Sequence, residues 1–265
     1  MSQSDYIRLQ TQSAASVFLR KVRVALTPRS ARLVARLASG VRVAGRNRSG
    51  WGGRGIYIFR EDLEPELRVL PRLLPAGGVF VDVGANVGVY SLSAAAIVGE
   101  SGTVVSVEPF AQILAQLQEN VGMNGFGSIV RLRNFCLSDR TGPVMFWMNY
   151  GKPHSFSLTR VGDAAGLSLL SARLDDLMAW EQLTRLDYVK IDAEGAEAAI
   201  LEGGKTSLER HRPVIQVEDV DRRICRSLSR YAAFCVKGTR NTLLLPEERL
   251  EALGKSLGEG WDRVE

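Results

Sequence analysis

The sequence predicts a doubly wound α/β fold, in which a mostly parallel sheet carries helices on both faces. From residue 79 onward, short apolar runs typical of buried strands alternate with longer segments of helical period. The chain also contains 26 glycines, as expected for a fold with many strand-to-helix turns. Strands separated by helices pair in parallel, and ligands bind such sheets outside the carboxyl ends of the strands.

The predicted elements of this sheet follow in regular order. The strands are VFVDVG, TVVSVEP, IVRLRNFCL, DYVKIDAEG and PVIQVED, and the helices between them are VGVYSLSAAAIVG, AQILAQLQENVGMNG, DDLMAWEQL and AEAAILEGG. Residues 138–172 are less regular and include the strand-like VMFWM. RYAAFCV and NTLLLP predict a closing pair of strands.

The N-terminal region has a different pattern, and we divide the chain into an extension, residues 1–55, and a main domain, residues 56–265. Residues 13–26 and 27–39 predict two helices, the second capped by Thr27 with Pro28 at its first position. Residues 40–59 predict two short strands around a glycine-rich loop. Residues 61–75 predict a helix capped by Asp62.

The extension is strongly basic. Residues 1–60 contain twelve Lys and Arg residues and one acid, Asp5, whereas the remainder holds 22 bases and 28 acids. A lid helix over the active site, a contact for an anionic substrate and an amphipathic helix pair on an anionic membrane all fit this composition. Nucleic acid is disfavoured because no known motif or aromatic interleaving accompanies the charge, and the composition also resembles a transit peptide.

Composition disfavours several other classes of protein. The three cysteines form no C-x-x-C pair, and His154 and His211 are too far apart for a helical metal-ligand pair, so a disulfide framework or zinc knuckle is disfavoured. We find neither an apolar run long enough to cross a bilayer nor a signal-peptide core. We therefore expect a cytoplasmic protein, with peripheral membrane contact through the basic N-terminus as an option.

The stretch VFVDVGANVGVYS, residues 79–91, predicts a strand, a glycine turn and a helix. The dinucleotide fingerprint G-x-G-x-x-G fails at two of its three positions, where Asn86 and Val89 stand. The phosphate loop fails because no Lys-Ser or Lys-Thr follows. A phosphate-binding role is also disfavoured by Asp82, which precedes the first glycine.

Two acids indicate the ligand. Asp82 suits a ligand with a positive charge, and Glu108 ends the next strand about where an acid takes the ribose hydroxyls of a nucleotide. An adenosine with a cationic tail and no phosphates satisfies both, and S-adenosylmethionine fits that description. The alternative is that both acids merely cap helices.

Six segments carry a family resemblance: FVDVGANVGVYSL, VSVEP, LQENVGMNG, CLSD, RLDDL and VKIDAEGAEAAILEGG occur in this order. Together they resemble the FkbM family of S-adenosylmethionine-dependent methyltransferases over about residues 56–245. The resemblance implies the class I, Rossmann-like fold of seven strands with a final antiparallel strand. It also implies O-methylation of hydroxyls on natural products, sugars or glycans.

The resemblance assigns a cofactor site position by position. Its residues are Asp82, Gly84, Ala85, Asn86, Gly88, Glu108, Leu137 and Ser138, the last two flanking the adenine. Asp192, at the end of the fourth strand, would face the methyl group. Cys136 stands where an alanine is common, and Arg173 stands where the family often has threonine.

Hydroxyl methylation benefits from a general base, and the sequence offers four candidates. Asp192 and Glu194 follow one strand and Glu218 follows its neighbour, while His154 lies in the irregular segment. A divalent cation is possible but not implied; Asp192 and Glu218 would be its ligands. The acceptor is a small molecule or glycan, with anionic acceptors among the options. The alternatives are an N- or RNA-methyltransferase on the same fold and a cofactor-binding module without catalysis.

Overall fold

The computed structural model describes residues 12–48, 53–148, 156–157, 166–193, 195–218, 228–236, 239–255, 257 and 260–264. Its strands are β1 (Arg32–Arg36), β2 (Arg42–Arg46), β3 (Val79–Val83), β4 (Thr103–Val107), β5 (Val130–Arg133), β6 (Cys136–Leu137), β7 (Gly142–Met148), β8 (Phe156–Ser157), β9 (Gly166–Ala172), β10 (Tyr188–Ile191), β11 (Val214–Glu218), β12 (Tyr231–Val236), β13 (Asn241–Pro246) and β14 (Trp261–Val264). Its α-helices are α1 (Ala14–Leu26), α2 (Gly53–Phe59), α3 (Leu70–Leu73), α4 (Val89–Val98), α5 (Ala111–Asn124), α6 (Leu174–Trp180), α7 (Glu197–Gly203), α8 (Lys205–His211) and α9 (Leu250–Gly254).

The main sheet has eight strands in the order β14-β12-β13-β11-β10-β3-β4-β5. The pairs β11–β10, β10–β3, β3–β4 and β4–β5 are parallel, and β13 runs antiparallel between β11 and β12. This arrangement confirms the predicted mostly parallel α/β fold and its antiparallel closing strand. The sheet gains an eighth strand because β14 pairs with the outer edge of β12.

Both faces of the sheet are covered, which explains why its central strands are mainly apolar. All five residues of β3 are buried. Phe80 packs in one core with α4 and α5, whereas Val81 on the opposite face packs in a second core with α6 and α7. A strand buried on both faces cannot alternate between apolar and polar residues, so it appears in the sequence as a continuous apolar run.

The predicted second helix, residues 27–39, is wrong: the chain forms a hairpin of β1 and β2 there. Thr27 ends α1 instead of starting a helix, because its N–H bonds to the Val24 carbonyl. In β1, Leu33 and Ala35 are buried, whereas Arg32, Val34 and Arg36 are exposed. This alternation is the two-residue period of a strand. Burial of this alternating set against α2 outweighs the weak helical pattern.

Three further boundaries differ from the prediction. Residues 40–59 contain one strand, β2, and then helix α2 rather than two strands. Residues 61–75 form two short 3₁₀ turns and α3 rather than one helix, because Pro65 and Pro71 each remove a backbone donor. The predicted strand IVRLRNFCL divides into β5 of the main sheet and β6 of a second, four-stranded sheet in the order β6-β9-β7-β8. That second sheet includes the predicted strand VMFWM.

The hairpin shares a core with the main sheet, since Ala35, Val43 and Ile56 pack in the same cluster as Phe80. The division of the chain at residue 55 stays a prediction. Within the described ranges, no helix combines the length and the apolar character that crossing a bilayer requires.

Candidate active site

The turn after β3 is built from three residues with left-handed backbone. Gly84, Asn86 and Gly88 have φ angles of 73°, 50° and 91°. A Cβ on Gly84 would lie 1.8 Å from the carbonyl oxygen of Asp192, so only glycine lets β3 and the end of β10 approach this closely. Asn86 tolerates the conformation, and its side-chain oxygen accepts the N–H of Val87.

Glu108 follows β4 and holds the turn from the neighbouring strand. Its carboxylate accepts the backbone N–H of Asn86 and that of Phe110, each at 3.0 Å. Burial raises the pKa of Glu108 to about 7, although the two N–H donors oppose this shift. The two predicted cofactor residues Asn86 and Glu108 are therefore in direct contact, and both line one cavity.

Asp82 is completely buried below the turn and does not line that cavity. Its carboxylate accepts the hydroxyl of Ser91 at 2.6 Å and lies 3.9 Å from the ammonium of Lys190. Burial raises the pKa of Asp82, and the charge of Lys190 opposes the shift. Asp82 thus fastens the turn to β10 and to the first turn of α4, where its carboxylate also accepts the backbone N–H of Ser91.

The cavity has a volume of about 310 Å³ and opens at the carboxyl ends of β3, β4, β10 and β11. Its apolar lining comes from Val83, Val107, Pro109, Phe110, Ile113, Cys136, Leu137, Phe146 and Ala193. Its polar lining comes from Glu64, Gly84, Asn86, Glu108, Asp192, Glu218 and Arg240. Apolar walls combined with convergent polar groups are a usual form of a small-molecule site, and polar groups contribute the larger part of the exposed lining here.

A chain of charges crosses one end of the cavity. Lys190 donates to Asp192 at 3.0 Å, Asp192 lies within hydrogen-bond reach of Glu218, and Glu218 pairs with Arg240. Burial, followed by the hydrogen bond and charge of Asp192, raises the pKa of Glu218 to about 9. Burial also opposes ionisation of Asp192, but Lys190 and the Glu218 hydrogen bond lower its pKa below the ordinary value. At neutral pH, Asp192 is therefore ionised and Glu218 carries the shared proton.

Glu64 is a third carboxylate of the cavity, and the sequence prediction missed it. It accepts the hydroxyl of Tyr90 at 3.2 Å, and Tyr90 in turn accepts the amide of Gln216 at 2.7 Å. Burial raises the pKa of Glu64 to about 7, and the charge of Lys190 opposes the rise. Glu64 lies in the proline-broken segment before β3, where no periodicity indicates which way a side chain points.

Replacing Glu64 with glutamine is expected to stabilise the cofactor-free protein at pH 8. A carboxyl whose pKa rises on folding supports stability fully below its unfolded value, near 4.5, and loses that support as the pH rises through about 7. At pH 8 the buried charge therefore costs about 1–3 kcal/mol, which glutamine avoids. Thermal unfolding at pH 8 should show a higher midpoint for Glu64→Gln, with little difference at pH 4.5.

The control for this prediction is Glu202→Gln, which neutralises an exposed carboxylate on α7. This control should change the midpoint by the same small amount at both pH values. Equal destabilisation by Glu64→Gln at both pH values would show that the charge of Glu64 carries no folding cost.

The other predicted site residues are distributed as follows. Leu137 lines the cavity, whereas Ser138 is buried and donates to Asp139 away from it. Ala85 and Gly88 are part of the turn, and neither lines the cavity. His154 and Glu194 lie outside the described residues. These assignments stay predictions, as does the base.

The residues present fit an adenosyl cofactor. Gly84 leaves backbone accessible at the mouth of the turn, Glu108 presents a carboxylate to the same cavity, and Phe110, Ile113 and Leu137 supply apolar surface. For a divalent ion, Asp192 and Glu218 adjoin each other, but each also contacts a cationic side chain. Across the part of the chain that the structure describes, no group of three or more His, Cys, Asp and Glu side chains has the geometry of a metal site.

Comparison with solved structures finds methyltransferases. The FkbM methyltransferase of Methylobacillus flagellatus is 14% identical, with a TM-score of 0.46 over 86% of this chain and 58% of its own. A methyltransferase of Geobacter sulfurreducens is 16% identical, with a TM-score of 0.43 over 68% and 74% of the two chains. The O-methyltransferase TomG of Streptomyces achromogenes, solved with S-adenosylmethionine, is 16% identical, with a TM-score of 0.44 over 68% and 78%. The chain thus spans little more than half of the Methylobacillus protein.

Sequence comparison gives the family. No curated protein matches the chain significantly. The profile of the methyltransferase FkbM domain matches residues 82–227, which is more than half of the 265 residues. The match begins at Asp82, the last acid before the glycine turn, and extends beyond β11. It therefore contains Glu108, Asp192 and Glu218 from the cavity. The chain belongs to the FkbM family of methyltransferases.

Proposed function

We propose that this protein transfers a methyl group from S-adenosylmethionine to a hydroxyl of a small-molecule or glycan acceptor. The observation that carries the proposal is the proton-sharing pair of Asp192 and Glu218, which lines the same cavity as the glycine turn. The turn and the pair occupy neighbouring strand ends, so one cavity contains both a cofactor cradle and a group that can accept a proton.

The cofactor would be held by residues from three elements. Glu108 would accept the ribose hydroxyls, the backbone of Gly84 and Asn86 would face the cofactor, and Leu137 would supply apolar surface for the adenine. When bound, S-adenosylmethionine supplies an electrophilic methyl group on a sulfonium. Lys190 balances the charge of Asp192, so the carboxyl groups of Glu64 and Glu108 supply the negative charge that favours such a cation in the cavity.

Asp192 is the proposed base. It is half-buried and ionised at neutral pH, and it lies at the end of β10. An alcohol is a poor nucleophile until its proton is removed, so a carboxylate within hydrogen-bond reach raises the rate. Glu218 shares its proton with Asp192, and Lys190 keeps the Asp192 carboxylate oriented through its hydrogen bond. Positioning of the acceptor in the cavity supplies a further part of the rate.

The lining also favours a hydroxylated acceptor over RNA. Glu64, Asp192 and Glu218 place three carboxyl groups around one end of the cavity. RNA recognition depends on cationic contacts to the phosphates, and carboxylates repel phosphates. Hydroxyl groups donate hydrogen bonds to carboxylates, so sugars and related polyols suit the same surface.

Replacing Glu108 with glutamine is expected to weaken binding of the cofactor by about 10–100-fold. A hydrogen bond to a charged group contributes about 1.5–3 kcal/mol, and glutamine cannot accept two hydroxyls while meeting the N–H groups of Asn86 and Phe110. The loss of affinity could come from the missing ribose contact or from a loosened turn. Isothermal calorimetry with S-adenosylhomocysteine and with an analogue that lacks the ribose hydroxyls distinguishes the two causes. Only wild type should prefer the hydroxylated ligand; an equal preference in Glu108→Gln would contradict the ribose assignment.

The function itself is tested with cofactor labelled in the methyl group. The protein is incubated with matched panels of hydroxylated acceptors, amines and RNA, and transfer of label is measured. Labelling of a hydroxylated acceptor supports the proposal. Labelling of amines or RNA alone contradicts O-methylation, and absence of cofactor binding at high micromolar concentration contradicts the enzyme itself.

A further inference from the structure

Helix α1 has apolar residues on the side that faces away from the protein. Phe18, Leu19, Val22 and Leu26 are 65%, 66%, 41% and 82% exposed. Successive residues of an α-helix are about 100° apart, so these four side chains fall within one sector about 100° wide. An exposed sector with four large apolar side chains is more than the isolated apolar residue that protein surfaces commonly carry.

The opposite side of α1 accounts for its attachment to the protein. Val24 is buried with Leu33, Tyr57 and Ile58, and Val17 packs against the same cluster. Val17 and Val24 lie about half a turn from the exposed sector, so the helix has two apolar faces. Only the inner face is needed to dock the helix, and the outer face therefore needs another explanation.

Basic residues border the outer face on both sides. Lys21 lies next to Phe18 around the helix, and Arg23 lies next to Leu19; both are exposed. The ammonium of Lys21 lies 5.4 Å from the centre of the Phe59 ring, which is a cation–π contact at the edge of the helix. An apolar stripe with a cation on each side fits a helix that lies in a membrane interface.

The segment that contains α1 is basic in sequence, although Glu119 of α5 pairs with its Arg32 at 3.4 Å. Residues 12–48 contain nine Lys and Arg residues and no Asp or Glu. Residue 5 is the last acid before Glu61, so no acid within this segment offsets these charges. A second copy of this chain would bring the same cations together, and the apolar stripe contributes nothing to phosphate recognition in a nucleic acid. An anionic lipid surface satisfies both the stripe and the charge.

We propose that the outer face of α1 docks the protein on an anionic membrane surface. Phe18, Leu19, Val22 and Leu26 enter the acyl boundary, and Lys21 and Arg23 reach the lipid headgroups. The inference is independent of the proposed methyl transfer, because none of these residues lines the cavity. It implies that the enzyme works at a lipid surface.

The experiment is co-sedimentation of the full chain with phosphatidylcholine vesicles, with and without phosphatidylglycerol. We expect binding only with phosphatidylglycerol, weakened by high salt. Phe18→Gln/Leu19→Gln removes apolar surface but keeps a good helix former, and it should lower the partition coefficient at least about tenfold. Lys21→Glu/Arg23→Glu should lower it at least about tenfold as well.

Matched controls make the same chemical changes elsewhere. Leu167→Gln/Leu170→Gln alters two residues of β9 that are 42% and 68% exposed. Arg210→Glu/Arg263→Glu makes the same charge change on α8 and β14. Both controls should bind as wild type does, and circular dichroism should show that all four variants are folded.

Several outcomes would overturn the proposal. These are absence of vesicle binding by wild type, equal binding to neutral vesicles, and equal losses in the control variants. RNA could displace wild type from the vesicles and bind the Phe18→Gln/Leu19→Gln variant as tightly as wild type. That result would identify a nucleic-acid surface instead. A wild-type dimer that the same variant converts to a monomer, without vesicle binding, would identify the face as an interface between copies.

Discussion

Replacing Asp192 with asparagine is expected to lower kcat by about 10²–10⁴-fold while cofactor affinity stays nearly unchanged. Asparagine keeps the shape of the side chain, so the acceptor can still bind. It cannot take a proton from the acceptor hydroxyl, because its amide oxygen is a very weak base. The loss therefore falls on turnover and not on binding of the cofactor.

The same substitution also affects charge balance around Lys190. Lys190 loses the negative charge of its 3.0 Å partner but keeps Asp82 at 3.9 Å and the charge of Glu64 nearby. Loss of one partner of a buried pair destabilises a protein, so the folded fraction must be measured at the assay temperature. Single-turnover methyl transfer and calorimetric affinity on the same folded sample separate chemistry from stability.

Asp187→Asn is the matched control, because Asp187 immediately precedes β10 at the end remote from the cavity. Its carboxylate accepts the N–H of Val79 at 2.8 Å and pairs with Arg185 at 2.6 Å. This variant should lose stability and keep kcat. If Asp192→Asn retained turnover, Glu64, with its pKa near 7, would be the next described carboxylate to test as the base.

Replacing Gly84 with alanine is expected to have the largest effect on the fold, with a loss of about 3–5 kcal/mol in the free energy of unfolding. The new Cβ would lie 1.8 Å from the Asp192 carbonyl oxygen, a backbone atom that cannot rotate away. The φ angle of 73° adds a cost of about 1–2 kcal/mol for any residue with a Cβ. The turn and the end of β10 must separate, which moves Asn86 and Asp192 at once.

Gly125→Ala separates the two contributions to this loss. Gly125 ends α5 with a φ of 74°, and a Cβ there would meet nothing within 4 Å. It should therefore cost only the conformational term, about 1–2 kcal/mol. Chemical denaturation of both variants measures the difference. Equal losses for the two variants would mean that the close approach of β3 and β10 does not constrain the turn.

The sequence predicted the alternating part of the fold well, because its signals are local. A buried parallel strand is an apolar run, and a left-handed turn requires glycine or asparagine, as at Gly84, Asn86 and Gly88. The closing strands, β12 and β13, were also visible as apolar runs. Where prolines and arginines interrupt the period, as in residues 27–75, the prediction failed because packing against the sheet decides between helix and strand.

The sequence by itself determined the α/β class, the family and the turn that distinguishes this loop from a dinucleotide or phosphate loop. Those features depend on residue type at fixed spacing, which needs no knowledge of distant contacts. The tertiary structure alone decided which carboxylates share a cavity. It brings Glu64 from an irregular segment to Tyr90, joins Asp192 to Glu218, and buries Asp82 below the turn. Protonation depends on burial and on neighbouring charges, and both arise only when separate strand ends meet.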